Sequence, residues 1–429
     1  MDQSGKKARL DRQSPACYGL IELVNIRSSQ MWGGLQGGLP RATQPFYSQL
    51  LDALVLFRRN PFKAAREGAW HFDGQVRNAF NLSPMCHVSY PAQRRARPGG
   101  NMKNVMKVLI IGRGVVGTTY GWALSQAGID VTHVVRKELP GTANLDLLDL
   151  RPGYQKHARV TYVPKTVTQI GPADGFDLVI VATKHYQAVE AIRQYLPGAP
   201  RATFLLFTAN WDGAAEFDRL LPRSSMLWGY AAASGGPDVQ GVLVVTVAPT
   251  VRFGKLEGSD PEKYKAVGEL FERAGFALDI KPNIVEWLWV HHAINAGGIG
   301  VCLWAGGIAE ATGSYKTIRL GLLAVRDALA VLAARGVDVK SYPDARSILN
   351  TPGWLACLGA VYGIRFTEKG RRLLQASHFD HSPDEMKRYY FDVLNTGEEL
   401  GVAMPHLSAL REKIECYPAT PATTHSSKS

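Results

Sequence analysis

The sequence predicts an α/β domain built on a parallel sheet, followed by an all-α domain. From Met106 to about residue 282, apolar runs of strand length alternate with segments of helical spacing, which is typical of a parallel sheet covered by helices. The spacing over residues 283–416 is helical only, and this predicts a second, helical domain. Residues 1–105 and 417–429 show no sustained period, so we expect a basic extension of low order and a disordered tail.

Five apolar runs predict the strands of the sheet, because each is continuous and of strand length. They are KVLIIG at 107–112, IDVTHVVR at 129–136, FDLVIVATK at 176–184, RATFLLFTAN at 201–210 and FALDIK at 276–281. Segments of helical spacing lie between them at 115–128, 186–196 and 260–275. The segment GVLVVTVAPTVRFGKLEG at 241–258 predicts two strands joined as a hairpin.

Six segments predict the helical domain, since apolar residues recur in each at three- and four-residue intervals. They are 284–304, 315–335, 343–350, 352–363, 383–400 and 404–415.

Composition excludes several classes of protein. Residues 1–105 contain 15 Lys and Arg against 6 Asp and Glu, so nine of the twelve net positive charges lie in that extension. The main body is therefore nearly balanced in charge, which argues against a nucleic-acid-binding face. No apolar run approaches the roughly 18 residues of a membrane span, and we expect no secretory signal. The five cysteines form no C-x-x-C pair, so we expect no metal site and a reducing, cytoplasmic location.

A glycine-rich turn follows the first strand. Gly112, Gly114 and Gly117 form G-x-G-x-x-G between a predicted strand and a predicted helix. In a Rossmann-type domain these glycines permit the tight turn, the approach of a pyrophosphate and close packing of the helix. Val115 and Val116 begin the helix, and a helix N-terminus favours phosphate. The motif predicts a dinucleotide site, against the alternative of a tight turn without a ligand.

The end of the second strand predicts which dinucleotide binds. An acidic residue about 20 positions beyond the glycines would accept hydrogen bonds from the ribose of NAD. Arg136 and Lys137 occupy this region instead, and a guanidinium pairs with a 2′-phosphate. We therefore expect NADP(H), against the alternative of a solvated basic pair.

Residues 106–416 resemble the ketopantoate reductase family. The resemblance rests on GRGVVG with Arg136, on DLVIVATK ending at Lys184, on the segment TAN ending at Asn210, and on the turn GVAMP near the C-terminus. It implies a Rossmann-type domain, a helical domain and NADPH dependence. It also implies that Lys184 and Asn210 line the cleft, and that Glu385 is an active-site carboxylate.

The chain departs from the family pattern at four positions. Ala209 and Trp211 flank Asn210, where the family has glutamine and glycine. A family helix with lysine, asparagine and asparagine at four-residue intervals corresponds to Trp287, His291 and Asn295. The family lysine is the general acid, so its replacement by tryptophan leaves the proton donor open.

Ketone reduction requires a proton donor beside the hydride donor. An indole does not ionise usefully, so we expect His291 or Lys184 to donate the proton and Glu385 to hold that cation or bind a substrate hydroxyl. For His291 a buried core is an equal alternative, and for His292 the structural interpretation is favoured. The resemblance also suggests substrate contacts from Asn210, Asn295 and Ser377.

These residues predict an NADP(H)-dependent reductase of ketopantoate reductase type. Its substrate would be a small 2-oxo acid, 2-dehydropantoate by default, which would place it in pantothenate biosynthesis. The alternatives are a reductase of a bulkier ketone and a non-catalytic NADP-binding protein of the same fold. We expect neither a nucleic-acid nor a membrane partner, and the sequence leaves open a homodimer.

Overall fold

The structure is a computed structural model that describes residues 106–136, 141–231, 233–375 and 382–418. The predicted extension at 1–105, most of the predicted tail and Ser377 lie outside the described residues.

The first domain contains an eight-stranded sheet, and all five strands predicted from the apolar runs belong to it. All twelve described strands are β1 (Lys107–Ile111), β2 (Asp130–Val134), β3 (Ala143–Asp149), β4 (His157–Tyr162), β5 (Lys165–Val167), β6 (Leu178–Val181), β7 (Thr203–Leu206), β8 (Met226–Tyr230), β9 (Ala233–Pro237), β10 (Leu243–Val247), β11 (Thr250–Lys255) and β12 (Ala277–Ile280). The large sheet has the order β12-β11-β8-β7-β6-β1-β2-β5. Every neighbouring pair in it is parallel except β8 with β11.

Both faces of the central strands are covered, which explains their continuous apolar sequence. In β1, Val108 and Ile110 belong to one apolar core, while Leu109 and Ile111 belong to another. Successive strand residues point to opposite faces, so one five-residue run supplies both cores. The helices beside the sheet are α1 (Val115–Gln126), α2 (His185–Tyr195), α3 (Ala215–Asp218) and α4 (Pro261–Arg273).

A second sheet was not predicted, and the predicted hairpin at 241–258 is wrong. The second sheet has the order β4-β3-β10-β9. β10 pairs with β3 and β9, whereas β11 pairs with β8 and β12 in the large sheet. The two strands therefore diverge at Ala248 and Pro249. A two-residue hairpin needs positive φ at its central residues, and neither alanine nor proline favours it.

The helical domain follows at the predicted positions. Its helices are α5 (Ile284–Ala305), α6 (Ile308–Ala311), α7 (Tyr315–Ala334), α8 (Pro343–Asn350), α9 (Gly353–Arg365), α10 (Glu368–Gln375), α11 (Pro383–Glu399), α12 (Pro405–Ser408) and α13 (Arg411–Glu415). The segment predicted as one helix at 404–415 is thus two short helices, and α10 was not predicted. In α5, a Cβ on Gly297 would lie 2.3 Å from the backbone nitrogen of Val325, so glycine permits α5 and α7 to pack closely.

The two domains are joined by polar contacts as well as apolar ones. Arg372 of α10 donates to the backbone oxygen and to Oδ1 of Asp146 in β3, at 2.6 and 2.7 Å. Trp211, just after β7, donates from Nε1 to Thr396 of α11 at 2.8 Å. Within the described residues, no helix is both long and apolar enough to cross a membrane.

Candidate functional site

The glycine turn connects β1 to α1 and uses its three glycines differently. Gly112 has φ of +111°, and a Cβ there would lie 2.9 Å from the oxygen of Ala182. A Cβ on Gly117 would lie 2.3 Å from the oxygen of Gly112. Both positions therefore require glycine for the fold itself. At Gly114 no atom lies within 4 Å of the Cβ position, and φ is −72°, so neither packing nor backbone conformation requires glycine there.

The N-terminus of α1 is suited to a negatively charged group. Gly114 is the N-cap and supplies no side-chain hydrogen bond, and the first turn contains no acidic residue. Val115 is buried and Val116 is half-buried. The amide groups and positive dipole end of a twelve-residue helix thus lie beside the open Gly114 position, an arrangement that attracts phosphate.

Arg136 lies just beyond the end of β2 and is exposed. Burial raises the pKa of Tyr195, at the end of α2, and the positive charge of Arg136 opposes that rise. Because Arg136 lies just beyond the last residue of β2, its backbone lies at the carboxyl edge of the sheet, where dinucleotides bind in this fold.

Lys184 and Glu385 belong to different domains, and their charges influence each other. Lys184 is half-buried and caps α2 directly after β6, while Glu385 lies in the first turn of α11. Burial raises the pKa of Glu385, and the charge of Lys184 opposes the rise. The fold thus places a cation and a carboxyl group, 201 residues apart in sequence, in one electrostatic neighbourhood.

His291 is paired with Tyr230, the last residue of β8. Its Nε2 lies 2.7 Å from the Tyr230 hydroxyl. Burial, with the charge of Arg252 second, lowers the pKa of His291 to about 3, and burial raises the pKa of Tyr230 to about 12. Both groups are therefore neutral near pH 7. Glu385 further raises the pKa of Tyr230, so the pair lies within electrostatic range of Glu385.

Trp287, which the sequence pattern aligns with the family lysine, extends this aromatic surface. Its indole stacks on the His291 ring at a centroid distance of 5.3 Å and an interplanar angle of 12°. The cations of Arg252 and Lys281 lie 5.1 and 5.6 Å from the indole centroid. An aromatic face attracts such cations, whereas a lysine there would add a third positive charge.

His292 points away from this pair into the contact between the domains. It is fully buried, and its ring lies 4.5 Å from the Tyr389 ring and 5.1 Å from the Trp211 ring. Asp392 Oδ2 is 3.2 Å from Nε2, an ion-pair distance without the alignment of a hydrogen bond. These surroundings support the structural interpretation of His292.

Within the described residues, no hydrogen bond joins Asn210 or Asn295 to Lys184, Glu385, Tyr230 or His291. Asn210 Oδ1 accepts a hydrogen bond of 2.8 Å from the backbone of Asp212, which fixes the turn after β7. Asn295 is half-buried one helical turn beyond His291. Their predicted roles, like those of the other site residues, stay predictions.

Tyr230 is a site residue that the sequence interpretation missed. It is separated from His291 by 61 residues, so no helical or strand spacing connects the two. The only local signal is its position at the end of an apolar strand, where α/β sheets place ligand contacts.

The order of the large sheet, the glycine turn and the helical domain define a Rossmann-type domain followed by a C-terminal helical domain, the class of fold that binds dinucleotides. Residues 108–258 match the model of the ketopantoate reductase PanE/ApbA family. The family resemblance that the sequence predicts is thus confirmed over this domain, which is about a third of the chain.

Two proteins that resemble the chain in sequence are aligned over part of its length. The 2-dehydropantoate 2-reductase of Pyrococcus abyssi (strain GE5 / Orsay) is 23% identical over 198 residues, 44% of this chain and 61% of that protein. The 2-dehydropantoate 2-reductase of Vibrio cholerae serotype O1 is 23% identical over 317 residues, 72% of this chain and 97% of that protein. In the first alignment the chain thus spans less than two thirds of its relative.

Solved structures of the same fold cover the chain more fully. The 2-dehydropantoate 2-reductase of Geobacter metallireducens GS-15 superposes with a TM-score of 0.53 and 16% identity, over 73% of this chain and 100% of that one. A D-mandelate dehydrogenase in a ternary structure with NADH and anilino(oxo)acetate gives a TM-score of 0.55 and 16% identity, over 73% and 98%. At this identity the likeness concerns the fold.

Proposed function

We propose that this protein is an NADP(H)-dependent reductase that transfers hydride between the nicotinamide and the keto carbon of a small 2-oxo acid. The observation that carries the proposal is the open position at Gly114, where a glycine that the fold does not need leaves room for a pyrophosphate. The residues around it fit a dinucleotide: an amide-rich helix N-terminus without acidic residues and a cation beyond the next strand. The family match supports an oxidoreductase.

Arg136 supports NADP(H) over NAD(H). A guanidinium makes two parallel hydrogen bonds to a phosphate but accepts none from a ribose diol. The exposed position of Arg136 leaves its side chain free to reach a 2′-phosphate beyond the end of β2.

The chain's own residues would orient the carbonyl and supply the proton, while the bound nicotinamide would supply the hydride. We assign Lys184, which follows the carboxyl end of β6, as the proton donor. His291 is neutral because burial lowers its pKa to about 3, so it would act with Tyr230 as a hydrogen-bonding pair that orients the substrate oxygen. Glu385 would hold Lys184 in place.

The substrate we favour is 2-dehydropantoate, and the corresponding process is pantothenate biosynthesis in the cytoplasm. The names of the curated relatives support this choice. One observation favours a bulkier or less charged ketone instead: Trp287, His291 and Tyr230 form a continuous aromatic surface at the family lysine position. We keep that as the second candidate.

The test is the oxidation of NADPH, followed by absorbance, with 2-dehydropantoate and a panel of aliphatic and aryl 2-oxo acids. We expect turnover with one member of the panel and weaker binding of NADH than of NADPH. Lys184→Met should lower kcat by about 10²–10⁴-fold, and Tyr230→Phe should lower it less. Tight NADPH binding without turnover on the whole panel would show a non-catalytic NADP-binding protein.

A matched pair of glycine variants tests the nucleotide site itself. Gly114→Ala should change the free energy of unfolding by less than about 0.5 kcal/mol, because its Cβ meets no atom. The same variant should raise the Kd for NADPH by at least about tenfold. Gly117→Ala should instead destabilise the domain. Unchanged NADPH affinity in the Gly114→Ala variant would contradict the proposed site.

A further inference from the structure

A buried histidine lies directly beneath the glycine turn, on β2. His133 is fully buried, and its Nδ1 lies 3.2 Å from the backbone oxygen of Gly112. The backbone nitrogen of Gly112 also donates to β2, to the oxygen of Val134 at 3.4 Å. Both polar backbone groups of the first motif glycine are therefore attached to the second strand.

The hydrogen-bond direction around His133 follows from its partners. A carbonyl oxygen only accepts, so Nδ1 must bear the proton. Burial lowers the pKa of His133 to about 4, so the ring is neutral and Nε2 must accept. The Tyr162 hydroxyl, 3.1 Å from Nε2, is then the donor. The Tyr162 oxygen remains free to accept from Ser125 Oγ of α1, at 3.5 Å.

The ring of His133 occupies space that a side chain at position 121 would otherwise fill. A Cβ on Gly121 of α1 would lie 2.2 Å from His133 Nε2 and 3.0 Å from the Tyr162 hydroxyl. Gly121 therefore leaves a notch in α1 that the imidazole fills. The chain from Gly112 through His133 and Tyr162 to Ser125 joins the turn, β2, the second sheet and the helix that follows the turn.

We propose that His133 is a positioning residue for the nucleotide site, and this rests on the proposed function. The peptide between Gly112 and Arg113 is trans, so its carbonyl and its N–H point in opposite directions. With the carbonyl directed at His133 inside the domain, the N–H of Arg113 is directed outward, to the side of the turn that a phosphate would occupy. Loss of the imidazole donor frees this peptide to rotate, since Gly112 has no side chain to oppose the rotation.

The experiment compares three substitutions on β2 by NADPH titration of the full-length protein. His133→Leu removes the donor and should raise the Kd by at least about tenfold. His133→Asn places an amide N–H near the position of Nδ1 and should restore affinity to within about threefold of the wild type. Thr132→Val is the matched control, because its buried hydroxyl has no hydrogen-bond partner and its side chain points to the opposite face of the sheet; its Kd should be unchanged.

A spectroscopic measurement on the wild type tests the contact without any substitution. Nitrogen-15 shifts of the imidazole should show His133 as the neutral Nδ1–H tautomer. The Nε2–H tautomer, or equal affinity in wild type, His133→Leu and His133→Asn, would overturn the inference and leave the proposed function standing. Failure of the wild type to bind NADPH or NADH would overturn both.

Discussion

Acidification should destabilise this protein through its buried histidines, and His185 allows that effect to be isolated. His185, the first residue of α2, lies among the rings of Tyr186, His292 and Tyr389. Burial, opposed by Asp392, lowers the pKa of His185 to about 4 from 6.5. Between these two pH values the unfolded chain binds a proton that the folded chain does not. The free energy of unfolding therefore falls as the pH falls through this window.

The magnitude follows from the two pKa values. At pH 7.5 the histidine contributes almost nothing to the difference, and at pH 5.5 it destabilises the fold by about 1.3 kcal/mol. The loss approaches about 3.4 kcal/mol below pH 4. Burial also lowers the pKa of His133 to about 4 and of His291 to about 3. The three together cost about 4 kcal/mol at pH 5.5, a large part of a typical stability.

The substitution His185→Phe keeps an aromatic ring in the cluster and removes the titrating group. It also removes Nδ1, which is buried without a hydrogen-bond partner, so the variant should be at least as stable as the wild type at pH 7.5. Urea unfolding at pH 7.5 and 5.5 should show a pH-dependent loss that is smaller in the variant by about 1.3 kcal/mol. Ile192→Val, a buried apolar change in the same helix, is the control and should lower stability equally at both pH values. An identical loss in the wild type and His185→Phe would refute the reasoning.

Two further substitutions address the packing around the site. Trp287→Lys should lower the free energy of unfolding by about 3–5 kcal/mol, because it removes a buried indole and places an ammonium beside two cations. Chemical denaturation of this variant and of Trp287→Phe measures the loss. A lysine variant as stable as the wild type would contradict the stacking argument. Arg372→Met should lower the free energy of unfolding by about 1.5–3 kcal/mol, because it breaks the charged hydrogen bonds to Asp146. Thermal unfolding measures the loss. An unchanged Tm would show that this contact does not stabilise the junction of the domains.

The large sheet was predictable from the sequence because its signals are local. The glycine turn lies between a five-residue apolar strand and a helix that ends near Gly128, whose φ is +74°. Each of these features can be recognised from a few neighbouring residues. The helical domain was predictable for the same reason, since the apolar residues of α7 and α8 recur at clear helical intervals.

The second sheet and the paired groups of the site were not predictable because they depend on contacts between distant residues. β10 is mostly apolar and β3 mixes leucines with Asn144, Asp146 and Asp149, but nothing in either indicates its partner. The hairpin prediction assumed that neighbours in sequence pair in space, although Ala248 and Pro249 already argued against a tight turn. The Tyr230–His291 and Lys184–Glu385 neighbourhoods appear only when strand ends and helix starts from two domains meet.

The division of the site between two domains makes its chemistry depend on their alignment. Lys184 and Tyr230 belong to strands or strand ends of the sheet, whereas His291 and Glu385 belong to helices of the other domain. A sliding motion of about one ångström between the halves would change every one of these pairings at once. Under the proposed function, mutations at distant contacts such as Trp211 with Thr396 should therefore alter turnover by misaligning the two halves, with the glycine turn itself left intact.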